Sequence, residues 1–386
     1  MKTHFSRFGF LVSLLLFLSS ANAADIKVMT QNQYLGADLH PILVAPDFPA
    51  FSAAVVVALQ EVAANSPTER MKALAADILK EKPALVGLQE VYSFQCSGDG
   101  CSDPSITGAF TDHLQATLDA LNGAYVLAAT VVNLNVPGIP FFIDGALSFV
   151  TVVDRDVILA RADVVATPVD YTAFQGLGIC LKPSVDGCNY SFVASAGTPV
   201  GPINVERGFV AVDAMIDGKA YRLVNTHLEE QFPDPTNPLS QVVQAAQAAE
   251  LVPVLMYTTP SDKSLVLLGD MNSSPAHLAI PGPLPLPPPF NLGIPTPYQE
   301  FVAAGYTDAW MLRPGKLPGY TCCQVEDLSN QHSALYERID MIFSLDAPNK
   351  VKRARVVGAT VSDRTPPPGL GLWPSDHGSV TADLQF

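Results

Sequence analysis

Six short apolar runs, rich in β-branched residues, constrain the fold of this chain more than any other feature. They occupy residues 26–31, 84–88, 157–160, 265–268, 339–343 and 356–361. Runs of this length are typical of buried strands. Segments with Ala and Leu at helical spacing lie between them, at residues 71–79, 111–121 and 240–256. Together they predict an α/β (α+β) fold in which stacked sheets are covered by helices.

Two local signals refine this prediction. Asp217-Gly218 stands between two strand-like runs, a pattern typical of a tight hairpin, so part of the sheet is expected to be antiparallel. Ser66 precedes Pro67, and Glu69 follows at the third helical position, which predicts a capping box at the start of the first of these helices.

The first 23 residues have the three parts of a secretory signal. Lys2 and Arg7 precede an apolar run at residues 8–18, and small residues follow at 19–23. The run is too short to span a membrane. We therefore predict a signal peptide over residues 1–23, one folded domain over residues 24–386 and a secreted or periplasmic location. The proline-rich residues 281–297 are expected to form a loop within that domain.

Charge and cysteine content bear on the partners and the compartment. The chain has 22 Lys and Arg against 37 Asp and Glu, a net charge of −15, so charge alone would not hold a polyanion. A bound cation could reverse the field locally, and a nucleic-acid substrate therefore stays open. Six cysteines fit an exported protein, with Cys96 near Cys101, Cys180 near Cys188 and Cys322 next to Cys323. Fifteen pairings are possible, and the sequence does not choose among them.

Polar side chains follow the apolar runs in a repeated way. Five segments place an amide, carboxylate or imidazole at the end of such a run, and a sixth opens one; they are residues 31–34, 88–90, 225–228, 269–272 and 375–377, and then 337–340. Strands that end together present such side chains on one rim of a rigid scaffold. An oxygen-rich set suits Mg²⁺ or Mn²⁺ better than zinc. The histidines are left for proton chemistry, and an aspartate near each imidazole would fix its tautomer.

In this order the segments resemble the endonuclease/exonuclease/phosphatase superfamily, which includes pancreatic-type deoxyribonucleases, apurinic endonucleases, bacterial sphingomyelinases and inositol polyphosphate 5-phosphatases. The resemblance runs from Ile26 to the C-terminus, and its most specific part is the pair Gly269-Asp270-Met271-Asn272 and Ser375-Asp376-His377. It implies a catalytic domain over residues 24–386, built as a four-layer sandwich of two packed mixed β-sheets flanked by helices.

The resemblance also implies a site, divided between metal binding and catalysis. The implied ligands of Mg²⁺ or Mn²⁺ are Asn32, Glu90 and Asp376. The implied catalytic residues are His227, Asp270, Asn272, Asp340 and His377. The implied chemistry is in-line attack of water on phosphorus, which depends mainly on positioning and on neutralisation of charge by a metal.

Each catalytic residue has an implied role. Asp270 and Asn272 would align the attacking water and hold the phosphoryl oxygens. His377, oriented by Asp340, would act as general base or stabilise the transition state. His227 would supply a second positive donor opposite it. Whether Asp270 or His377 takes the proton of the water is left open.

Two departures from the family leave the branch open. Tyr34 stands where apurinic endonucleases usually have an acid, and Arg161 stands where many relatives have a Ser-Arg or Ser-Lys pair. Arg161 and Arg207 either face substrate phosphate or are exposed strand-end arginines. We expect a secreted metal-dependent phosphodiesterase that acts as a monomer without a stable protein partner. The alternatives are a sphingomyelinase-like phospholipid hydrolase, an extracellular nuclease and a catalytically silent binding protein.

The apolar residues 136–153 allow two interpretations. They form either an exposed loop that inserts Phe141 and Phe142 into a lipid surface or a buried hairpin. The buried hairpin is the favoured interpretation.

Overall fold

The structure, a computed structural model, describes residues 25–231, 239–365 and 371–386. The predicted signal peptide lies outside the described residues. Within them no single helix has the length and hydropathy of a membrane span, and one pair of helices passes this test only together, bent by 47° between Ala64 and Pro67.

The first large sheet contains both chain ends of the described domain. Its strands are β1 (Asp25–Asn32), β2 (Leu85–Gln89), β3 (Ser93–Gly98), β4 (Tyr125–Ile143), β5 (Ala146–Arg161), β18 (Lys350–Val357) and β19 (Ser379–Gln385). Their order is β18-β19-β1-β2-β5-β3, and β4 pairs with β5. Strand β1 is parallel to β2 and antiparallel to β19. The start of β19 therefore lies at the same edge as the ends of β1 and β2.

The second large sheet carries the middle of the chain. Its strands are β6 (Ala166–Pro168), β7 (Lys182–Pro183), β8 (Gly187–Asn189), β11 (Gly208–Ile216), β12 (Lys219–His227), β13 (Ser264–Asp270), β16 (Thr307–Asp308) and β17 (Asp340–Ser344). Their order is β16-β17-β13-β12-β11-β8-β7, and β6 pairs with β11. Strands β12 and β13 are parallel, while β17 is antiparallel to β13.

Helices and two small strand pairs complete the fold. The strand pairs are β9 (Ala194–Thr198) with β10 (Gly201–Val205) and β14 (Ile280–Pro281) with β15 (Gly293–Ile294). The helices are α1 (His40–Leu43), α2 (Phe48–Ala64), α3 (Pro67–Glu81), α4 (His113–Leu121), α5 (Leu239–Thr258), α6 (Pro297–Ala303) and α7 (Ala309–Leu312).

The core confirms the predicted four-layer sandwich. Aliphatic side chains of both large sheets, among them Val28, Leu85, Val212 and Val266, pack into one buried cluster between the sheets. A second cluster joins α5 and α6 to the outer face of the second sheet, and a third joins α3 and α4 to the outer face of the first. Burial on both faces explains why the strand sequences are continuous apolar runs.

Five of the six predicted strands and the Asp217-Gly218 hairpin are confirmed. Asp217 and Gly218 have φ angles of 50° and 80°, as a two-residue turn between β11 and β12 requires. The strand predicted at residues 356–361 is wrong in position, because β18 runs from Lys350 to Val357. Four Lys and Arg side chains hid this strand, but it lies at the edge of the sheet, where charged side chains are tolerated.

The predicted capping box at Ser66 is wrong. Pro67 does open α3, but Ser66 has a left-handed backbone (φ 47°, ψ 62°) and its side chain makes no capping hydrogen bond. A capping side chain needs an extended backbone at the N-cap to reach the amides of the first turn. That geometry occurs at α6 instead, where Thr296 and Gln299 form a capping box.

Residues 136–153 form the distal part of the β4–β5 hairpin, and its two faces differ. Phe141 is fully buried beneath α2, whereas Phe142 is 46% exposed, because successive side chains of a strand point to opposite faces. Leu147 lies opposite Phe142 in the strand register and is also 46% exposed. The buried-hairpin interpretation therefore holds for one face, and the other face presents apolar side chains to solvent.

The six cysteines form three disulfides, Cys96–Cys101, Cys180–Cys188 and Cys322–Cys323. Of the pairings that the sequence left open, the structure contains the three between near neighbours. Each bridge closes a short loop, so none of them links the two large sheets.

Candidate active site

Strand register brings all eight predicted site residues to one edge of the sandwich. His227 pairs with Asp270 across β12 and β13, and Asp270 pairs with Asp340 across β13 and β17. In the other sheet, Asn32 pairs with Gln89, so Glu90 follows immediately beyond the end of β2. Residues that are far apart in sequence thus meet where both sheets end.

Asn32 and Glu90 form the part of the site contributed by the first sheet. Asn32 Nδ2 donates to Glu90 Oε1 and to Asp270 Oδ2, both at 3.0 Å, and so links the two sheets. Glu90 Oε2 accepts the amide of Leu35 at 2.8 Å. Glu90 has a φ of 53°, a left-handed conformation that turns the chain at the strand end.

The turn after β13 places Asp270 and Asn272. Gly269 has a φ of 146°, and a Cβ there would lie 1.9 Å from the Thr226 carbonyl oxygen, so glycine is required. Asp270 Oδ1 accepts the Asn272 amide at 2.9 Å, and Asn272 Nδ2 donates to the Leu228 carbonyl at 3.0 Å. Burial and the nearby Asp340 carboxylate raise the pKa of Asp270 to about 6.

His377 is held by Asp340 as the sequence predicts. His377 Nδ1 lies 2.8 Å from Asp340 Oδ2, which leaves Nε2 directed at Asp270 Oδ2, 3.8 Å away. The backbone amide of Asp340 donates to Thr321 Oγ1 at 3.1 Å and fixes the start of β17. Burial alone would lower the pKa of His377, but the carboxylates of Asp340, Asp376 and Asp270 outweigh it and raise the pKa well above its ordinary value.

His227 has a different environment from the one expected. Its Nδ1 accepts from Arg207 Nη1 at 2.8 Å, where an aspartate was predicted. Its Nε2 lies 3.6 Å from Asp270 Oδ2. Burial, the Arg207 guanidinium and His377 hold the pKa of His227 well below its ordinary value. The ring is therefore a neutral donor through Nε2, not the second positive donor that the sequence suggested.

Glu90 and Asp376 are two carboxylates of the site that could hold a metal. Both line the same pocket of about 270 Å³ as Asp270 and His377. Burial and repulsion from Glu90 together raise the pKa of Asp376 to about 7, although His377 and Arg70 act in the opposite direction. A hard cation would relieve this repulsion, so Glu90, Asp376 and the Asn32 amide oxygen fit Mg²⁺ or Mn²⁺. One ligand atom each from Asp270, Asp340 and His377 also lie within 4.8 Å of one another, a second group that could hold a metal.

Comparisons with known proteins identify the fold. No family model and no curated protein matches this chain. Among solved structures, an endonuclease/exonuclease/phosphatase family protein from Bacteroides thetaiotaomicron is 16% identical with a TM-score of 0.50, and the match covers 94% of this chain and 98% of that chain. The chain has the endonuclease/exonuclease/phosphatase fold. Its predicted resemblance to this superfamily is confirmed at the level of the fold.

Other structures with this fold are similar at comparable identity. A family protein from Beutenbergia cavernae is 18% identical with a TM-score of 0.48, over 94% of this chain and 72% of that chain. One from Leptotrichia buccalis is 14% identical with a TM-score of 0.48, over 94% of this chain and 100% of that chain.

Within the endonuclease/exonuclease/phosphatase fold, Arg161 and Arg207 have different environments. Arg161 pairs with Asp163 and donates to the Lys82 carbonyl, at the end of β5 remote from the site. Its suggested contact with substrate phosphate is wrong. Arg207 is buried in the site wall, with Nη2 3.6 Å from Glu229 Oε1, so it is not an exposed strand-end arginine.

Three supporting residues were not singled out from the sequence. Glu229 pairs with Arg207, and its only signal was its place two residues after His227. Arg70 is fully buried and donates to the carbonyls of Gln33, Tyr34 and Pro374, which fixes the loops beside Asn32 and Asp376. Asn225 bridges the sheets by donating to the Leu88 and Val157 carbonyls.

Proposed function

We propose that this protein is a divalent-metal-dependent phosphodiesterase. The observation that carries the proposal is the convergence at one sheet edge of Asn32, Glu90, Asp270, Asp376 and His377, drawn from both sheets and from both ends of the chain. Carboxylate and amide oxygens lie beside two imidazoles, of which His377 has a raised pKa and His227 a lowered pKa. Such a set suits attack of water on a phosphate ester.

The roles of the residues follow from their geometry. Asp270 Oδ2 lies between the two imidazoles, 3.6 Å from His227 Nε2 and 3.8 Å from His377 Nε2. It is placed to orient the attacking water and to accept its proton, and its raised pKa makes it a better base. His377, cationic against Asp340, donates from Nε2 to a phosphoryl oxygen and stabilises its developing charge.

The remaining groups bind and orient the phosphate. Neutral His227 donates through Nε2, and Asn272 Nδ2 lies beside it at 3.1 Å. Asn32, Glu90 and Asp376 would hold Mg²⁺ or Mn²⁺. When bound, the cation would neutralise charge on the phosphate and lower the pKa of coordinated water.

A catalytically silent binding protein is the less favoured function. Loss of activity would remove the selective need for an exact set of acid, base and amide side chains. Glu90, His227, Asp270, Asn272, Asp340, Asp376 and His377 are all retained and all lie in one site. Export forms part of the proposal and is supported by the leader-like residues 1–23 and by the three disulfides.

A substrate panel tests this function. The mature protein is assayed with Mg²⁺, Mn²⁺ or EDTA against bis-p-nitrophenyl phosphate, p-nitrophenyl phosphate, plasmid DNA, RNA and sphingomyelin. We expect hydrolysis of bis-p-nitrophenyl phosphate with Mg²⁺ or Mn²⁺ and its loss in EDTA. Undiminished activity in EDTA, or hydrolysis of the phosphomonoester alone, would contradict the proposal.

A further inference from the structure

An apolar cavity adjoins the candidate active site. It has a volume of about 80 Å³ and lies among α1, α2, the β4–β5 hairpin and β10. All sixteen described residues that line it are aliphatic or aromatic, including Val55, Phe94, Leu134 and Ile203. Protein interiors are packed with few voids larger than a water molecule, and a void with apolar walls stays dry and accepts apolar ligands.

The cavity and the active-site pocket have a common wall. Six residues line both of them, and these are Leu35, Leu39, Leu43, Tyr92, Leu134 and Val205. The active-site pocket is also lined by Glu90, Asp270 and His377. A molecule bound there would therefore have its phosphate among charged groups and its adjoining substituent against aliphatic side chains.

The charges around the pocket disfavour a polyanionic substrate. Among the described residues that line the pocket, Arg207 is the only Lys or Arg, and it is already engaged by His227 and Glu229. Asp38, Glu229 and Glu230 line the same pocket and would repel the neighbouring phosphates of a nucleic-acid strand. A single phosphate with an uncharged substituent avoids this repulsion.

We propose that the substrate is a phosphodiester in which one ester group is a linear aliphatic chain, and that this chain enters the apolar cavity. The proposal rests on the phosphodiesterase function proposed above and names its substrate class. At about 30 Å³ for a water-sized group, the cavity accommodates roughly three chain carbons. Further carbons extend toward Leu43 and Val205, which also line a neighbouring pocket of about 220 Å³.

A homologous series of chromogenic diesters tests the proposal. The substrates are methyl, butyl and octyl p-nitrophenyl phosphate, used with Mg²⁺ below their critical micelle concentrations. In each case water adds to phosphorus, the bond to the p-nitrophenyl oxygen breaks, and p-nitrophenolate and an alkyl phosphate are released with a proton. We expect kcat/KM to rise by up to about fourfold per methylene buried, at least tenfold from methyl to butyl.

Two variants of one hairpin separate the cavity from other sources of chain preference. Ile203→Phe fills the cavity from β10, and we expect it to reduce the octyl-to-methyl ratio of kcat/KM at least fivefold. Val200→Phe makes the same kind of change in the turn of that hairpin, where Val200 is 41% exposed, and should keep the ratio of the parent. Thermal melting of both variants verifies that each is folded.

Binding of a product analogue gives a readout that does not depend on turnover. Octyl phosphate should bind at least tenfold more tightly than methyl phosphate by calorimetry, and Ile203→Phe should remove this difference. Equal kcat/KM across the diester series, with methyl p-nitrophenyl phosphate hydrolysed, would overturn the cavity proposal and leave the phosphodiesterase intact. No hydrolysis of any diester with any metal would instead refute the underlying function. A chain preference that survives Ile203→Phe and is lost in Phe142→Ser would assign it to the exposed hairpin face.

Discussion

The two histidines of the site are alike in burial and opposite in environment. Both direct Nε2 at Asp270 Oδ2, at 3.6 Å from His227 and 3.8 Å from His377. At Nδ1, however, His377 meets the Asp340 carboxylate and His227 meets the Arg207 guanidinium. Burial acts to lower the pKa of both rings, so the carboxylates around His377 and the guanidinium beside His227 account for the difference between them. One site thereby holds a cationic donor and a neutral donor on either side of one carboxylate.

The largest effect on kcat is expected from removing the His377 imidazole or the charge of Asp270, the carboxylate that both imidazoles face. His377→Ala and Asp270→Asn should each reduce kcat for bis-p-nitrophenyl phosphate by about 10²-fold or more, because positioned acid–base and electrostatic groups contribute that much. Circular dichroism and thermal melting verify folding. His277→Ala, which alters a histidine paired with Glu337 outside the catalytic set, is the control and should leave most of the activity. Near-normal turnover in either site variant would rule out the assigned centre.

The next largest effect on kcat is expected from a change in the partner of His377 Nδ1. Asp340→Asn keeps the shape of the side chain and removes the charge that holds the ring proton. The pKa of His377 should fall, and kcat should drop by about 10²-fold at neutral pH. Stopped assays across a pH range measure this. If kcat is unchanged at every pH, the Asp340–His377 pair has no catalytic role.

Glu90→Gln separates the metal side of the site from the histidine side. Loss of one carboxylate weakens a hard-cation site, so activity should fall about tenfold at low Mg²⁺ and recover partly as Mg²⁺ or Mn²⁺ is raised. His377→Ala is the matched comparison and should not recover with metal. Should excess metal change nothing while calorimetry shows parent-like metal affinity, Glu90 is not a ligand.

The smallest effect on activity is expected from Arg207→Gln, which keeps a donor for His227 Nδ1 without its charge. The pKa of His227 should rise, since Arg207 is one of the groups that lower it, and kcat should change by several-fold. Stability should fall by about 3 kcal/mol because Glu229 is left buried without its cation. Arg222→Gln, at a buried arginine paired with Asp213, is the control and should lose stability without altering His227.

The sequence predicted the sandwich and the site edge better than it predicted local contacts. Continuous apolar runs fix buried strands, and each run ends in a polar residue, so Asn32, Glu90 and Asp270 could be placed by strand ends alone. The partner of His227 could not, because Arg207 lies before β11 and reaches the ring only through the β11–β12 pairing. The apolar cavity was also beyond prediction, since Leu134 and Ile203 come together only through tertiary packing.

The predictions of the capping box at Ser66 and of the edge strand β18 failed for local reasons. Ser66 has the residue type of a cap, but its left-handed backbone turns the hydroxyl away from the helix. In β18, charged side chains masked a strand that an edge position tolerates. Neither error moves a site residue, because the site depends on buried strands whose register is set by their apolar faces.

Titration of the two rings in the metal-free protein measures directly whether His377 and His227 differ in charge. With ¹⁵N-labelled histidine in EDTA, the ring nitrogens of His377 and His227 are assigned using His377→Ala and His227→Ala. At pH 6.5, where an unperturbed imidazole is half protonated, we expect His377 to be doubly protonated and His227 to be neutral with its proton on Nε2. Two rings that titrate together near pH 6.5, or a cationic His227 beside a neutral His377, would contradict this expectation.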